Sequence, residues 1–186
     1  NRLFESRMQQ LKIAADQQKE YRKYSLQYAS IMYMDDAFRG FFKEYAKRPD
    51  FNNTIFIITG DHRMPEIPIA TQIDRFHVPL IIYSPLLQRT KNIGGVSTQF
   101  DITPSLIAFL KNYKLQFPTT AHWVGTVLDT SAAFNSGKTV PLMRNKNELI
   151  DFIDKDFFYS RGQLFQLSDH MELDVVNEPS EQKQLE

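Results

Sequence analysis

The chain has 186 residues, of which 42% are hydrophobic and 15 are Phe, so it is long enough to form a domain with a packed core. Its 22 basic and 22 acidic residues balance, which disfavours nucleic acid as a partner because a nucleic-acid surface carries a basic excess. It has no cysteine, which excludes disulfides, thiolate metal sites and a cysteine nucleophile.

The first 47 residues are predicted to be helical, in two pieces. Residues 1–23 are rich in Gln, Lys, Glu and Ala with few apolar positions, which is typical of a peripheral helix. From Tyr24 onward, apolar and aromatic residues recur at helical spacing until Pro49 ends the pattern. We expect this second helix to lay one face on a sheet, with the residues Tyr28, Ile31, Met34, Phe38, Phe41, Phe42 and Tyr45.

A short apolar strand leads into a candidate metal site. Residues 55–59 are β-branched or aromatic and uncharged, a pattern that suits a parallel strand buried on both faces. Gly60 permits a turn, so Asp61 and His62 follow the carboxyl end of the strand, where open α/β sheets place their ligands. A carboxylate oxygen and an imidazole nitrogen suit a divalent metal, although the same dipeptide also serves as an ordinary turn.

The loop after this dipeptide and the next strand supply two further candidates. Arg63 either contacts a substrate anion or is a solvated or carboxylate-paired loop residue. His77 precedes an apolar strand over residues 78–83, where it either binds a ligand or packs at the start of the strand.

The remaining third is predicted to be mixed. Thr103 and Pro104 begin a helix that reaches about Tyr113, with Asp101 and Thr103 as caps. Residues 141–158 include a predicted short helix, residues 159–167 a strand or hairpin arm, and residues 177–186 a polar tail. The second Asp-His dipeptide, at 169–170, follows no apolar strand and is interpreted as a coincidence.

The order of these segments resembles the carboxyl-terminal part of the sulfatase-like catalytic domain of the alkaline phosphatase superfamily. The resemblance covers about residues 25–130 and is closest to the lipoteichoic acid synthase and phosphoglycerol transferase branch. It is carried by three segments, which are Thr59-Gly60-Asp61-His62, His77-Val78-Pro79-Leu80-Ile81-Ile82-Tyr83-Ser84-Pro85 and Ser97-Thr98-Gln99-Phe100-Asp101-Ile102-Thr103-Pro104-Ser105-Leu106. It implies a partial alkaline-phosphatase-like sheet flanked by helices, an α/β domain portion spanning residues 1–176.

The resemblance also implies a function. Asp61 and His62 match the family's ligands of Mn or Zn, with Ca or Mg as alternatives, and His77 loosely matches a position at which relatives contact the substrate phosphate or a second metal. Arg63 departs from the family pattern, in which Gly often follows the His, and could contact the anion of a sulfate- or phosphate-ester substrate. The nucleophile and the amino-terminal half of such a domain would precede residue 1, so we expect this chain alone to be inactive, with no catalytic residue of its own.

Three further expectations complete this interpretation. The parent protein would be extracytoplasmic and anchored in a membrane by a segment absent here, since no apolar run in this sequence reaches the ~20 residues of a membrane span. An incomplete sheet would expose an edge, through which two copies could form a homodimer. The alternative is a non-catalytic α/β module that serves as a scaffold or binds a partner.

Overall fold

A computed structural model describes residues 2–113, 115, 117, 120, 122–145 and 147–176. The polar tail predicted at 177–186 lies outside the described residues. The fold is mixed α/β, as predicted, and has four α-helices and two antiparallel sheets within the described residues. The chain divides into two compact units, a first unit of Asn1–Ala70 and Asp74–Arg89 and a second unit of Thr71–Ile73 and the residues from Thr90 onward.

The first unit begins with three helices, α1 (Arg2–Gln10), α2 (Ala15–Lys23) and α3 (Ser25–Tyr45). The region predicted as a single peripheral helix over 1–23 is therefore divided, and Lys12 between its two parts has a left-handed backbone (φ 53°). Phe4 and Met8 of α1 are buried, whereas α2 buries no residue.

The predicted apolar face of α3 meets the sheet only at its carboxyl-terminal end. Phe42 and Tyr45 lie with their ring centroids 4.9 and 5.1 Å from that of Phe56. Much of the remaining stripe is exposed, with Met34 at 55%, whereas Tyr28 is half-buried and its ring stacks on an aromatic ring of α1. Helical spacing predicted the correct face of α3, but not how far along the helix that face is covered.

The sheet of the first unit pairs β1 (Phe56–Thr59) with β2 (Leu80–Tyr83) in antiparallel orientation. The prediction of a parallel strand buried on both faces is therefore wrong, since β1 is half-buried and its only neighbour among the described residues runs the opposite way. A parallel neighbour would need a crossover, usually an α-helix, and the connection here contains only a 3-10 turn. An uncharged apolar run predicts a strand but does not determine the direction of its partner.

The second unit combines one helix with a five-stranded antiparallel sheet whose strands pair in sequence order. The elements are α4 (Ile102–Leu110), β3 (Thr139–Asn145), β4 (Glu148–Asp154), β5 (Phe157–Ser160), β6 (Gln163–Leu167) and β7 (Leu173–Val175). The strand or hairpin arm predicted over 159–167 is observed as β6 together with the end of β5, with which β6 forms a hairpin. The core cluster of buried residues consists of Ile73, Val96, Val140, Ile153, Phe158, Phe165 and Leu167.

The short helix predicted within residues 141–158 is wrong, because the segment forms β4. Asp151 is fully buried in this strand, on the same face as the buried Ile153. A charged residue at a buried position breaks the alternation of polar and apolar residues by which a strand is predicted. Within the described ranges, no helix is long and apolar enough to cross a bilayer.

Candidate metal-binding site

The antiparallel pairing brings the predicted site residues to one edge of the small sheet. Thr59 at the end of β1 lies opposite Leu80 at the start of β2, so residues 60–79 form a connection that leaves and re-enters the sheet at the same edge. A Cβ built on Gly60 would lie 3.2 Å from Val78 Cγ1, which shows how close the two ends of the loop are. Asp61 and His62, which follow β1, therefore lie at the same end of the strand pair as His77, which precedes β2.

Asp61 and His62 present an oxygen and a nitrogen to solvent. The Asp61 Oδ2 lies 3.7 Å from the His62 Nε2, and the two side chains are 90% and 68% exposed. The His62 backbone N–H donates to Asp61 Oδ1 over 3.0 Å. The His62 Nδ1 lies 2.5 Å from the Arg63 carbonyl oxygen, which can only accept, so Nδ1 is the donor and the neutral ring carries its lone pair on Nε2.

This donor set fits part of a divalent metal site. Two bonds of about 2.1 Å to one ion span at most about 4.2 Å between the ligand atoms, and the 3.7 Å separation lies within that limit. A hydrogen bond from the second ring nitrogen to a carbonyl oxygen is the usual way in which proteins orient a metal-binding imidazole. No group of three or more His, Cys, Asp or Glu suited to a metal occurs among the described residues, so these two would need ligands from elsewhere.

The second Asp-His dipeptide shows which part of this geometry is distinctive. Asp169 Oδ2 and His170 Nε2 are 3.8 Å apart, and the His170 N–H donates to Asp169 Oδ1 over 2.9 Å. These contacts repeat those of Asp61 and His62, so adjacency in the sequence is enough to produce them. The Nδ1 bond to a carbonyl distinguishes His62, since no partner of His170 Nδ1 is seen in the part of the chain that the structure describes.

Arg63 and His77 line a common groove, with a volume of about 310 Å³, in the first unit. The Arg63 Nη1 donates to the carbonyl oxygens of Met64 (3.0 Å) and Ile67 (2.8 Å), so the guanidinium binds its own loop, and no carboxylate pairs with it among the described residues. His77 is exposed, and its backbone N–H donates to the Asp74 carbonyl oxygen. The structure thus places two of the four predicted residues in this groove, while Asp61 and His62 are not among its lining residues.

The sequence analysis assigned Asp101 a capping role but missed its position at the centre of a buried polar cluster in the second unit. Its carboxylate accepts hydrogen bonds from the backbone N–H groups of Thr98 (2.8 Å) and Thr126 (2.7 Å) and from the Lys138 ammonium. Burial by itself would raise the pKa of Asp101, but these donors outweigh it and lower the pKa below its usual value. The predicted cap at Thr103 is wrong, because a 3-10 turn over Gln99–Asp101 already precedes α4. The spacing Thr98-x-x-Asp101, which resembles a capping box, is the sequence signal for this cluster.

Comparison with known proteins supports the family assignment. A sequence model of one family, described as Sulfatase, matches residues 4–112, more than half of the chain, and that match contains Asp61, His62, Arg63 and His77. No curated protein and no solved structure matches the chain. Members of this family, which lies in the alkaline phosphatase superfamily, are generally metal-dependent. The chain belongs to the sulfatase family.

Proposed function

We propose that this chain contributes to a metal-dependent reaction on sulfate or phosphate esters, with Asp61 and His62 as two protein ligands of the metal. The observation that carries the proposal is the contact between the His62 Nδ1 and the Arg63 carbonyl oxygen. The free Nε2 of the same ring lies 3.7 Å from a carboxylate oxygen in solvent. Family membership supplies the class of reaction.

The donor types suit Mn or Zn, with Ca or Mg as alternatives that would depend more heavily on oxygen ligands. A bound divalent ion would lower the pKa of an attacking hydroxyl and offset negative charge on the ester. Asp61 would supply an anionic oxygen and His62 a neutral nitrogen. The exposed imidazole of His77 and the N–H groups of Arg63 other than Nη1 would donate hydrogen bonds to the ester oxygens.

The nucleophile and the remaining metal ligands are proposed to come from outside this sequence, from an amino-terminal half of the domain. Within the superfamily, we favour the lipoteichoic acid synthase and phosphoglycerol transferase branch, in a parent protein that is extracytoplasmic and membrane-anchored. The chain alone is then inactive, and turnover of an aryl sulfate or a phosphodiester above the buffer rate would contradict this assignment.

Paramagnetic broadening by Mn²⁺ tests the ligand assignment directly. In an amide NMR spectrum of the chain, substoichiometric Mn²⁺ should broaden the signals of Asp61 and His62 before all others. The His62→Gln variant should lose this selectivity, whereas the matched His170→Gln variant should keep it. Equal broadening around His170 in the unsubstituted chain would show that any exposed Asp-His dipeptide suffices, and would overturn the proposal.

The alternative of a non-catalytic binding module is supported by exposed apolar surface on the first unit. Ile81 and Ile82 of β2 are 53% and 45% exposed, and β1 and β2 each have a single strand neighbour within the described ranges. Two copies that pair along such an edge would form a homodimer. Sedimentation velocity should then show a dimer that Ile81→Lys dissociates and the exposed-site control Val124→Lys does not, while a monomer at all concentrations would exclude the pairing.

A further inference from the structure

The loop between β1 and β2 leaves the first unit for three residues. Thr71–Ile73 belong to the second unit, whereas Ala70 and Asp74, on either side of them, belong to the first. Ile73 is 2% exposed and is a member of the buried core cluster of the second unit. The loop that follows the candidate metal ligands therefore places one of its side chains in a core to which the rest of the loop does not belong.

A side-chain hydrogen bond holds the same three-residue segment. The Ser160 hydroxyl, on β5, donates to the Gln72 Oε1 over 2.5 Å, across 88 residues of sequence. Because Ser160 is 1% exposed, water competes little for its hydroxyl, whereas Gln72 is exposed and can be substituted without opening the core. Ser160 lies beyond the residues that match the sulfatase family, so a part of the chain outside that match holds a loop inside it.

Asp74 connects this segment to His77. Its carboxylate accepts the Ala70 N–H over 3.0 Å, which joins the two residues at which the loop leaves and re-enters the first unit. Its carbonyl oxygen accepts the His77 N–H over 3.3 Å. Ile73 and Asp74 are neighbours in one 3-10 turn, so a shift of the anchored segment reaches the backbone of His77 directly.

The first half of the loop is held by its own contacts. The Arg63 guanidinium donates to the carbonyl oxygens of Met64 and Ile67, and the Ile67 N–H donates to the Met64 carbonyl oxygen over 3.4 Å. All three residues belong to the first unit. Loss of the anchor at Gln72 should therefore loosen His77 and leave Ile67 unchanged.

We propose that Gln72 is a positioning residue that, through its bond to Ser160, fixes the turn on which the backbone of His77 is held. The inference rests on the proposed function only for the role of His77 at the ester, since the contacts that fix the turn require neither a metal nor a substrate. It gives a residue beyond the family match a part in orienting a candidate site residue within the match.

Amide hydrogen exchange of the full chain tests this anchor. Gln72→Met keeps the length of the side chain but removes the acceptor. It should accelerate exchange of the His77 and Ala70 amides about fivefold, the change expected for the loss of one net hydrogen bond. Gln72→Glu, whose carboxylate still accepts the Ser160 hydroxyl, should restore exchange to within about twofold of the unsubstituted chain.

Three sets of amides serve as controls. The Ile67 amide and the amides of β4–β6 should exchange at the same rate in Gln72→Met as in the unsubstituted chain. The exposed-site variant Gln88→Met should leave the His77 amide unchanged. Unchanged exchange at His77 in Gln72→Met, or equal acceleration in Gln72→Met and Gln72→Glu, would overturn the proposal. Equal acceleration at His77 and in β4–β6 would also overturn it, because Gln72 would then contribute only to the general stability of the second unit.

His62→Gln separates this proposal from the proposed function. The variant should lose selective Mn²⁺ broadening and keep the exchange protection of His77. If Gln72→Met accelerates exchange at His77 but Mn²⁺ never broadens Asp61 and His62 selectively, the metal role alone is overturned. If the broadening is selective but Gln72→Met leaves exchange at His77 unchanged, the anchor alone is overturned.

Discussion

The Lys138 Nζ lies 2.7 Å from the Asp101 Oδ2, in an ion pair whose carboxylate side chain is 2% exposed and whose lysine side chain is 20% exposed. Asp101 belongs to the part of the chain that matches the sulfatase family, and Lys138 lies beyond it. Thr126, which also donates to this carboxylate, likewise lies beyond the matched part. The segment after residue 112 is therefore built into the packing of the second unit.

Removal of the lysine should leave a buried carboxylate without its counter-charge. Lys138→Met is expected to lower the free energy of unfolding of the second unit by about 3 kcal/mol. A buried carboxylate left without its partner destabilises a protein far more than the loss of an exposed ion pair does. Urea unfolding followed by the fluorescence of Trp123, the chain's single tryptophan, measures this change. The exposed-site control Lys111→Met should change it by less than about 0.5 kcal/mol, and an equal effect of both variants would refute a special role for Lys138.

The same cluster should make the second unit sensitive to acid. Because the folded pKa of Asp101 is below its unfolded value of about 3.9, its contribution to stability is present above about pH 4 and is lost as the pH falls through the folded pKa. Urea midpoints between pH 6 and 2.5 should therefore fall toward low pH in the unsubstituted chain. Asp101→Asn should be less stable at pH 6 and flatter across this range, whereas a parallel pH profile for the two proteins would rule out Asp101 as a cause.

Gly125 occupies a position at which only a glycine fits. A Cβ built on it would lie 2.3 Å from the Phe100 carbonyl oxygen, which is backbone and cannot move aside as a flexible side chain could. Gly125→Ala should destabilise the second unit by about 2 kcal/mol or more. Gly137→Ala is the matched control, because its Cβ meets nothing within 4 Å. Thermal unfolding that gives the same shift for both substitutions would contradict the close approach.

Phe56 connects α3 to the small sheet. Its ring contacts Phe42, Tyr45 and Tyr83, with centroids 4.9 to 5.9 Å apart. Phe56→Ala should lower the free energy of unfolding of the first unit by about 3 kcal/mol. This value is near the lower limit for a core Phe→Ala substitution because Phe56 is half-buried. Hydrogen exchange of the β1 and β2 amides should accelerate accordingly, and exchange no faster than in the exposed-site control Ile55→Ala would count against this anchoring role.

Local patterns in the sequence predicted many of the elements of the fold but not their partners. Apolar patterns predicted α3, the strand before Asp61 and a strand within residues 159–167, but not that β5 and β6 form a hairpin there. The direction of β2 relative to β1 depends on how the 60–79 loop folds, and that loop carries no periodic signal. The strand β4 was not predicted because Asp151, a charged residue, occupies a buried position in it. The burial of Asp151 depends on contacts outside its own strand, which local spacing does not show.

The candidate site was predictable only as residue types at an edge. The apolar pattern placed Asp61 and His62 after a strand. The antiparallel pairing of β1 with β2 brings His77 to the same end of the sheet, and no local pattern in the sequence predicts that pairing. The Nδ1 bond of His62 and the backbone contacts of Arg63 depend on the conformation of one turn. Lys138 was missed because it lies 37 residues from Asp101, and no local spacing rule relates residues so far apart.

The most direct test of the central claim is titration calorimetry of Mn²⁺ and Zn²⁺ into the chain and two double variants. We expect weak binding, because two protein ligands rarely hold such an ion tightly. Asp61→Asn/His62→Gln should abolish it, whereas Asp169→Asn/His170→Gln, which removes a dipeptide of nearly the same local geometry, should leave it unchanged. Equal loss of binding in the two variants, or binding that survives removal of Asp61 and His62, would contradict the assignment of the metal site.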